Sequence, residues 1–314
     1  MLGRSANGIF WMSRYLERAE NAARLLDVGF RMALTRGNVS QEEEWHSVLT
    51  TIGQDAGYRA RFEEYSGPQV FNFILRDKDN PLSVLQMIEN ARTNARSVRT
   101  SITRDVWETT NESWMVLRDM LARPVRERGL GEALSAIRRQ TMLVRGAIEG
   151  TMLRNEVFNF ARIGKFIERA DNTARILDVK YYVLLPSVAW VGSSLDNVQW
   201  EAVLRSVAGD RAYRWLNAGV LDPRGIAEFL ILDRRFPRSL MFGYEKLNSN
   251  LAGLAREYGC ETGSHELVSA ARARLQQTSI HTIIDQGLHE FITDFIASNI
   301  HIATAIASDY RFVE

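Results

Sequence analysis

The sequence contains little cysteine and little lysine. A single cysteine, Cys260, among 314 residues excludes an internal disulfide and every metal site built from several cysteines, and it is usual for a protein of a reducing compartment. Four lysines among 39 basic residues leave 35 arginines. Arginine suits bidentate contact with carboxylate or phosphate, so the excess indicates such contacts, unless it reflects only a biased genome.

Long hydrophobic runs are also absent. The longest, from Tyr181 to Val191, is short and is broken by Pro186, so we expect no membrane span. No charged and then apolar leader follows Met1, and we therefore expect a cytoplasmic protein. The 39 basic residues balance 38 acidic ones to a net charge of +1, which disfavours a nucleic-acid partner.

Only six prolines interrupt the chain, and between them apolar residues recur every three to four positions rather than alternating. No segment rich in Val, Ile and Thr alternates as a strand would. These patterns predict an all-α protein, a multi-helix bundle. The expected helices lie before residue 37 and at about 41–53, 81–121, 130–150, 156–184, 196–208, 226–234, 238–257 and 265–308, and breaks are expected within 81–121 and 265–308.

One helical segment occurs twice. Residues 17–28 recur at 168–179 with nine identities in twelve positions. Later residues repeat too, and these pairs are Trp45 and Trp200, Val48 and Val203, Leu49 and Leu204, Tyr58 and Tyr213, Asp77 and Asp233, Pro81 and Pro237, and Ser83 and Ser239. We expect one domain over 1–314 with repeat halves 1–150 and 151–314 in a pseudo-twofold arrangement.

The repeated segment presents a polar arc on each helix. At 100° per residue, the polar side chains of each copy fall on one side of the helix, opposite the apolar stripe. Three roles are open for this arc: a structural network, a ligand or catalytic site in which Glu17 and Glu168 act as acid and base, or a solvated face. Its members are Arg14, Glu17, Arg18, Asn21 and Arg24 in the first copy, and Lys165, Glu168, Arg169, Asn172 and Arg175 in the second.

A second candidate surface is an arginine ridge. Arg92, Arg96 and Arg99 stack on one helical face. Three guanidinium groups on one ridge repel each other unless acidic residues pack beside them or an anion such as phosphate or a carboxylate binds there. Both explanations remain open, because three acids are close in sequence, Glu89, Asp105 and Glu108.

These segments carry a resemblance to a known family. The Glu-Arg helix from Arg14 with its upstream Phe10-Trp11, its second copy from Lys165, and the ridge followed by Trp107 resemble the alpha-E family over essentially the whole chain. The resemblance implies an all-helical bacterial protein, typically encoded beside or fused to a circularly permuted ATP-grasp ligase and a transglutaminase-like peptidase. It implies a role in making or modifying peptides through amide bonds, and it maps the family's Glu-Arg pair onto Glu17-Arg18 and Glu168-Arg169.

Other constellations are incomplete. No glycine-rich phosphate loop is present, so no nucleotide or other cofactor is expected and ATP would belong to a partner. Glu43 and His46 have the spacing of di-iron bundles, but the second copy lacks it. His281, Asp285 and His289 lack a fourth ligand, so we expect no metal site.

Three functions remain on these grounds. The favoured one is a non-catalytic or substrate-handling helical component of an ATP-grasp-linked peptide or amide-bond system, which binds the ligase or a peptide carboxylate. The alternatives are an enzyme that uses Glu17 and Glu168 for acid/base chemistry, and a purely structural interaction scaffold.

Overall fold

The computed structural model describes residues 1–35, 38–182 and 194–312, and side chains only outside 35–40 and 179–197. Most of the run from Tyr181 to Val191 lies outside the described residues. The structure is 79% helical, and its described part contains fifteen helices and no strand. The all-α prediction is therefore confirmed.

The chain divides into two compact units, Met1–Lys165 with Phe312–Glu314, and Phe166–Arg311. The boundary falls inside one long helix, α8. The first unit contains α1 Gly3–Thr35, α2 Asn38–Thr51, α3 Asp55–Arg59, α4 Gly67–Arg76, α5 Val84–Ser97, α6 Arg104–Met120, α7 Glu127–Thr151 and the start of α8 Glu156–Tyr182. The second contains the rest of α8, α9 Ser194–Ser206, α10 Asp210–Leu216, α11 Pro223–Leu232, α12 Leu240–Tyr258, α13 Gly263–Gln277, α14 Ile280–Gln286 and α15 Leu288–Asp309.

In the first unit, α1 is the central helix. It packs against α2, α4, α5 and α7, and its apolar residues Ile9, Met12 and Leu26 are fully buried. Helices α6 and α7 pack against each other as well. Most of the surface of α1 is therefore in contact with neighbouring helices, including much of its polar arc.

In the second unit, α12 packs against α11 and α13, and α15 packs against α13 and α14. The buried amide of Asn299 on α15 donates to the carbonyl of Ile167 on α8 at 3.1 Å. Its oxygen accepts from the hydroxyl of Tyr244 on α12 at 3.1 Å. Asn299 thus links three helices of this unit.

Several repeated residues form the helix caps and turns in both copies. Ser83 and Ser239 are the N-caps of α5 and α12, and each hydroxyl accepts from the backbone N–H three residues later. Asp77 and Asp233 are the C-caps of α4 and α11, and each carboxylate accepts the backbone N–H two residues later. The sequence repeat therefore preserves the turn between these helices.

The buried tyrosines are also equivalent. The hydroxyl of Tyr58 donates to the carbonyl of Glu64 at 2.7 Å, and that of Tyr213 to the carbonyl of Asp222 at 3.2 Å. Burial raises the pKa of Tyr58 to about 12 and raises the pKa of Tyr213. Both rings close a short helix onto the following loop.

The order of helices is the same in both copies, except that α7 corresponds to two helices, α14 and α15. The predicted pseudo-twofold arrangement of the halves and the single domain over 1–314 stay predictions. The short helices α3, α4 and α10 lie in stretches for which the periodicity predicted no helix.

Among the described helices, α15 is long and apolar enough to cross a membrane, with a mean hydropathy of 1.2 and a third of its residues buried. A core helix of a soluble protein meets the same criterion, and Phe291, Ile292 and Phe295 of α15 are buried. The expectation of no membrane span stays a prediction.

Candidate functional site

The first Glu-Arg helix, α1, is joined to α7 by a row of polar contacts. From one end to the other, Arg138 on α7 contacts Asp27 at 2.9 Å, and Thr141 contacts Glu20 at 3.5 Å. Arg145 contacts Glu17 at 3.0 Å. The two helices run antiparallel along this row, and Glu17 and Glu20 are 1% and 0% exposed.

Arg145 is the cation that both buried carboxylates share. One guanidinium nitrogen lies 3.0 Å from Oε2 of Glu17 and 2.5 Å from Oε2 of Glu20. Burial alone would lower the pKa of Arg145, but the charges and hydrogen bonds of Glu17 and Glu20 outweigh burial and raise it. Glu20 also accepts from Arg24 at 2.6 Å, within the helix, as its i,i+4 spacing predicts.

One turn beyond Arg145, Glu149 forms a second ionic group with the start of α8. Its carboxylate accepts from Arg162 at 2.7 Å and from Lys165 at 2.8 Å. Burial raises the pKa of Glu149, but the two cations outweigh it and hold the pKa below its usual value. The predicted site residue Lys165 is therefore engaged in an ion pair inside the first unit.

A small cavity lies between these two groups. It has a volume of about 10 Å³, and its lining includes Ser13, Arg145, Glu149 and Lys165. The hydroxyl of Ser13 is buried there, with no hydrogen-bond partner among the described residues. A space of this size is large enough for one water molecule and too small for a substrate.

Two other residues of the first arc are half-buried, Arg14 and Arg18. The guanidinium of Arg14 lies 4.5 Å from the ring centroid of Trp11 and 5.5 Å from that of Phe10. Asn21 is buried. The arc is therefore not a solvated face.

In the second unit, the Glu-Arg helix is equally enclosed. Glu168 is 1% and Arg169 9% exposed, and Arg169 donates to the carbonyl of Pro237 at 3.3 Å. Arg175 donates to Asp171 at 2.7 Å, the predicted i,i+4 pair. The amide nitrogen of Asn172 is buried and has no partner in the part of the chain that the structure describes.

The two copies differ at the position of Arg145, whose side chain is 19% exposed. Leu288, Phe291, Ile292 and Phe295 of α15 repeat the burial pattern of Leu130, Ala133, Leu134 and Ile137 of α7. In this register Ala303 takes the position of Arg145. The second copy has a buried arginine before α12, Arg238, whose backbone carbonyl accepts from Thr173 of α8 at 2.8 Å; the first copy has Leu82 there.

The arginine ridge lies against the tryptophans of α6. The prediction of one helical face is wrong for Arg99, because α5 ends at Ser97 and Arg99 lies in the turn that follows. The guanidinium of Arg92 is 4.2 Å from the ring centroid of Trp114 and donates to Asn111 at 2.7 Å. Arg99 lies 5.5 Å from the ring of Trp107. Arg96 and Arg99 are exposed and Arg92 is half-buried, so this Arg-Trp surface is accessible to a partner.

The geometry bears directly on the acid/base alternative. Glu17 and Glu168 are each 1% exposed, and a general acid or base must reach the proton that it transfers. The cavity beside the first Glu-Arg pair has space for water alone. These facts oppose catalysis by the two carboxylates in the folded state.

Potential metal ligands are also dispersed. Among the described side chains, no group of three or more His, Cys, Asp or Glu is arranged to hold a metal ion. The spacing of His281, Asp285 and His289 is interrupted by Gly287, at which φ is 102° and α14 ends. His289 instead contacts Asp178 at 2.6 Å.

Sequence reasoning missed the residues that complete the network. Arg145 and Glu149 lie on a segment that the repeat does not mark, and Arg238 lies inside a repeated turn at a position where the first copy has Leu82. Arg145 comes directly after Val144, a buried apolar residue of α7. Surface arginines are common at such positions. Only its contacts with Glu17 and Glu20 on α1 distinguish Arg145 from an ordinary surface arginine.

Comparisons with known proteins identify a family. A family model, Alpha-E, described as a predicted alpha-helical domain with a conserved ER motif, matches residues 1–310. An uncharacterized protein of Mycobacterium bovis and one of Mycobacterium tuberculosis strain CDC 1551 are each 25% identical over 98% of this chain. The chain spans 36% of the length of each of these relatives. No solved structure matches the chain. The chain belongs to the Alpha-E family.

Proposed function

We propose that this chain is a non-catalytic helical component of a cytoplasmic system that makes or modifies peptide amide bonds with an ATP-grasp ligase. Its role is to dock the ligase, the associated transglutaminase-like peptidase or their peptide carboxylate. The chemistry belongs to those partners.

The observation that carries this proposal is the burial of the signature acids. Glu17 and Glu20 are almost completely enclosed and share Arg145. Buried carboxylates are costly to separate from the guanidinium that pairs with them. They therefore support a role in stabilising the helices rather than in chemistry.

The Arg-Trp surface of α5 and α6 is the docking face that we favour. Stacking of Arg92 on Trp114 and of Arg99 on Trp107 orders long side chains before a partner arrives. Arginine and tryptophan are the residues most enriched in interface hot spots. Exposed guanidinium groups suit carboxylates of a partner.

The length of the relatives supports a modular role. In the mycobacterial proteins the matched region is 36% of the polypeptide, so it occurs there within a longer chain. A module in a longer chain meets its neighbours at high effective concentration.

The experiment is co-purification of the tagged chain with the ATP-grasp ligase of the same organism, followed by titration calorimetry. We expect a stable complex, weakened about tenfold or more by the double variant Arg96→Glu and Arg99→Glu. The matched control is Arg128→Glu with Arg139→Glu, two exposed arginines of α7, for which affinity stays within about twofold.

Two outcomes would overturn the proposal. One is the absence of any complex, together with unchanged ligase activity in a strain lacking the gene. The other is turnover of a peptide by the purified chain alone, lost in Glu17→Gln without loss of stability, which would establish the acid/base alternative.

A further inference from the structure

The Arg-Trp surface carries cations that neighbouring acids do not neutralise. In the part of the chain that the structure describes, Arg92, Arg96 and Arg99 form no ion pair. The three acids expected beside them are therefore not their partners, and Glu108 pairs with Arg104 instead, at 2.6 Å. Like charges at this spacing repel each other unless anions lie between them. Of the two explanations for the ridge, binding of an anion is the one that the contacts support.

The second copy shows that the helix pair packs without these side chains. Counted from the capping serines of α5 and α12, the three arginines correspond to Asn248, Ala252 and Ala255. Helices α12 and α13 contain no tryptophan, and the two helices still pack against each other. The arginines and tryptophans are therefore not required to hold α5 and α6 together, which leaves them a role outside the fold.

Stacking on tryptophan holds two of the guanidinium groups apart. Arg92 lies 4.2 Å from the ring centroid of Trp114, and Arg99 lies 5.5 Å from that of Trp107. Arg92 is fixed further by its hydrogen bond to Asn111 at 2.7 Å. The two tryptophans are seven residues apart on α6, which is about 10 Å along the helix axis. The oxygens of a single carboxylate or phosphate cannot span this distance while both stacks remain, so the ligand carries several anionic groups.

The spacing of these anionic groups distinguishes a helical ligand from an extended one. Arg96 follows Arg92 by four positions and precedes Arg99 by three. On an α-helix, side chains at i, i+4 and i+7 share one face and span about 10 Å. In a β-strand, three successive side chains of one face span about 13 Å. The helical spacing matches the row of guanidinium groups, and the extended spacing exceeds it.

We propose that the Arg-Trp surface binds an acidic α-helix of a partner protein, with carboxylates at i, i+4 and i+7 on one face. One carboxylate meets each of Arg92, Arg96 and Arg99. The aliphatic parts of the acidic side chains lie on the half-buried rings of Trp107 and Trp114. The inference rests on the proposed function, because it takes the docking face from it and names the element that docks there.

The test uses the full chain and a fluorescein-labelled probe, an acetylated helical peptide of alanine and glutamine with three glutamates at i, i+4 and i+7. Fluorescence anisotropy measures binding, and circular dichroism verifies that the probe is helical. We expect saturable binding. It should weaken about tenfold or more when the glutamates are moved to i, i+2 and i+5, which spreads them around the helix at the same net charge.

Variants of the chain locate the binding. Arg96→Glu with Arg99→Glu should weaken probe binding about tenfold or more, since both side chains are exposed and their acids would repel the probe. The matched control, Arg128→Glu with Arg139→Glu, makes the same change of charge at exposed positions of α7 and should leave the affinity within about twofold. Circular dichroism of each variant verifies that it is folded.

Five results would overturn the inference. Three concern the probe: no saturable binding by the wild-type chain, equal affinity for the two glutamate spacings, and unchanged affinity of the Arg96→Glu, Arg99→Glu variant. The fourth is tighter binding of a single-stranded DNA oligonucleotide than of the probe, which would make a nucleic acid the occupant. The fifth is self-association in sedimentation that the same double variant abolishes, which would make a second copy of the chain the occupant.

The two proposals can fail separately. If the ligase co-purifies while the probe fails any of these tests, the proposed function stands and only the acidic helix is wrong. If the probe binds as expected and no ligase complex forms, the surface takes an acidic helix of another protein and the proposed function is wrong.

Discussion

At the residue scale, the first Glu-Arg helix depends on Arg145. This one guanidinium lies against Glu17 and Glu20, both almost completely buried. Removing this cation leaves two enclosed carboxylates without a charge partner. The resulting loss of stability is larger than the net stability that the ion pair itself contributes.

Replacing Arg145 with Met should therefore lower the free energy of unfolding by about 3–5 kcal/mol, since two buried acids lose their shared cation. Urea unfolding followed by circular dichroism measures the change. The exposed arginine of the same helix, Arg139, provides the control, and Arg139→Met should change stability by less than about 0.5 kcal/mol.

Adding Glu17→Gln to Arg145→Met tests the contact itself. We expect the double variant to be less destabilised than the sum of the two single variants, with a coupling of about 1–3 kcal/mol. Additive effects would show that the two side chains do not interact in solution.

Ionisation of Glu149 should make the free energy of unfolding depend on pH. Its folded-state pKa is lowered from 4.5, so its ion pairs stabilise the protein fully above about pH 4.5 and are lost as the pH falls through the folded-state pKa. The difference in unfolding free energy between the wild type and Glu149→Gln should be constant at neutral pH and should narrow below about pH 4.5. A difference that does not change with pH would contradict the ion pairs with Arg162 and Lys165.

At the element scale, long periodic helices were accessible from the sequence and short ones were not. The apolar stripe from Ile9 to Leu26 predicted α1, and the region expected at 130–150 is α7, Glu127–Thr151. By contrast, α3 has five residues and α10 seven, too few turns for periodicity to show. These short helices are held by tertiary contacts of Tyr58 and Tyr213.

Within the first unit, the close approach of the start of α8 to α1 depends on one glycine. A Cβ on Gly164 would lie 2.2 Å from the carbonyl oxygen of Phe10, a backbone atom that cannot turn aside. Gly164→Ala should therefore destabilise the protein by about 1–3 kcal/mol through a shift of the helices.

Gly146→Ala is the matched control, because a Cβ there meets no atom within 4 Å. This exposed position in α7 should gain about 0.5–1 kcal/mol from helix propensity. Thermal unfolding of the two variants measures this difference. Equal midpoints would contradict the close approach of Gly164 to Phe10.

At the scale of the whole molecule, the sequence repeat predicted which residues the two copies share but not how the copies differ. Trp45 and Trp200 are buried alike, and both capping serines serve the same role. The differences lie in residues that a repeat search ignores. Arg145 of the first copy corresponds to Ala303 in the second, and Phe62 corresponds to Asn217.

The sequence repeat also predicted part of the candidate site. The repeat identified Glu17, Glu168 and their neighbours, because both copies retain them. It did not distinguish a site from a structural network, since the same alternation of acid and arginine serves either purpose. Burial and the partner on α7 favour a structural network for Glu17 and Glu20, and they depend on contacts between residues more than a hundred positions apart.

The central claim is that the Glu-Arg helices stabilise the fold while partners perform the chemistry. Glu17→Gln, with unfolding free energy and ligase affinity measured on the same preparation, tests it most directly. We predict a loss of about 1–3 kcal/mol of stability and an unchanged affinity of the folded protein for the ligase. Unchanged stability with lost ligase binding or lost activity would contradict the claim.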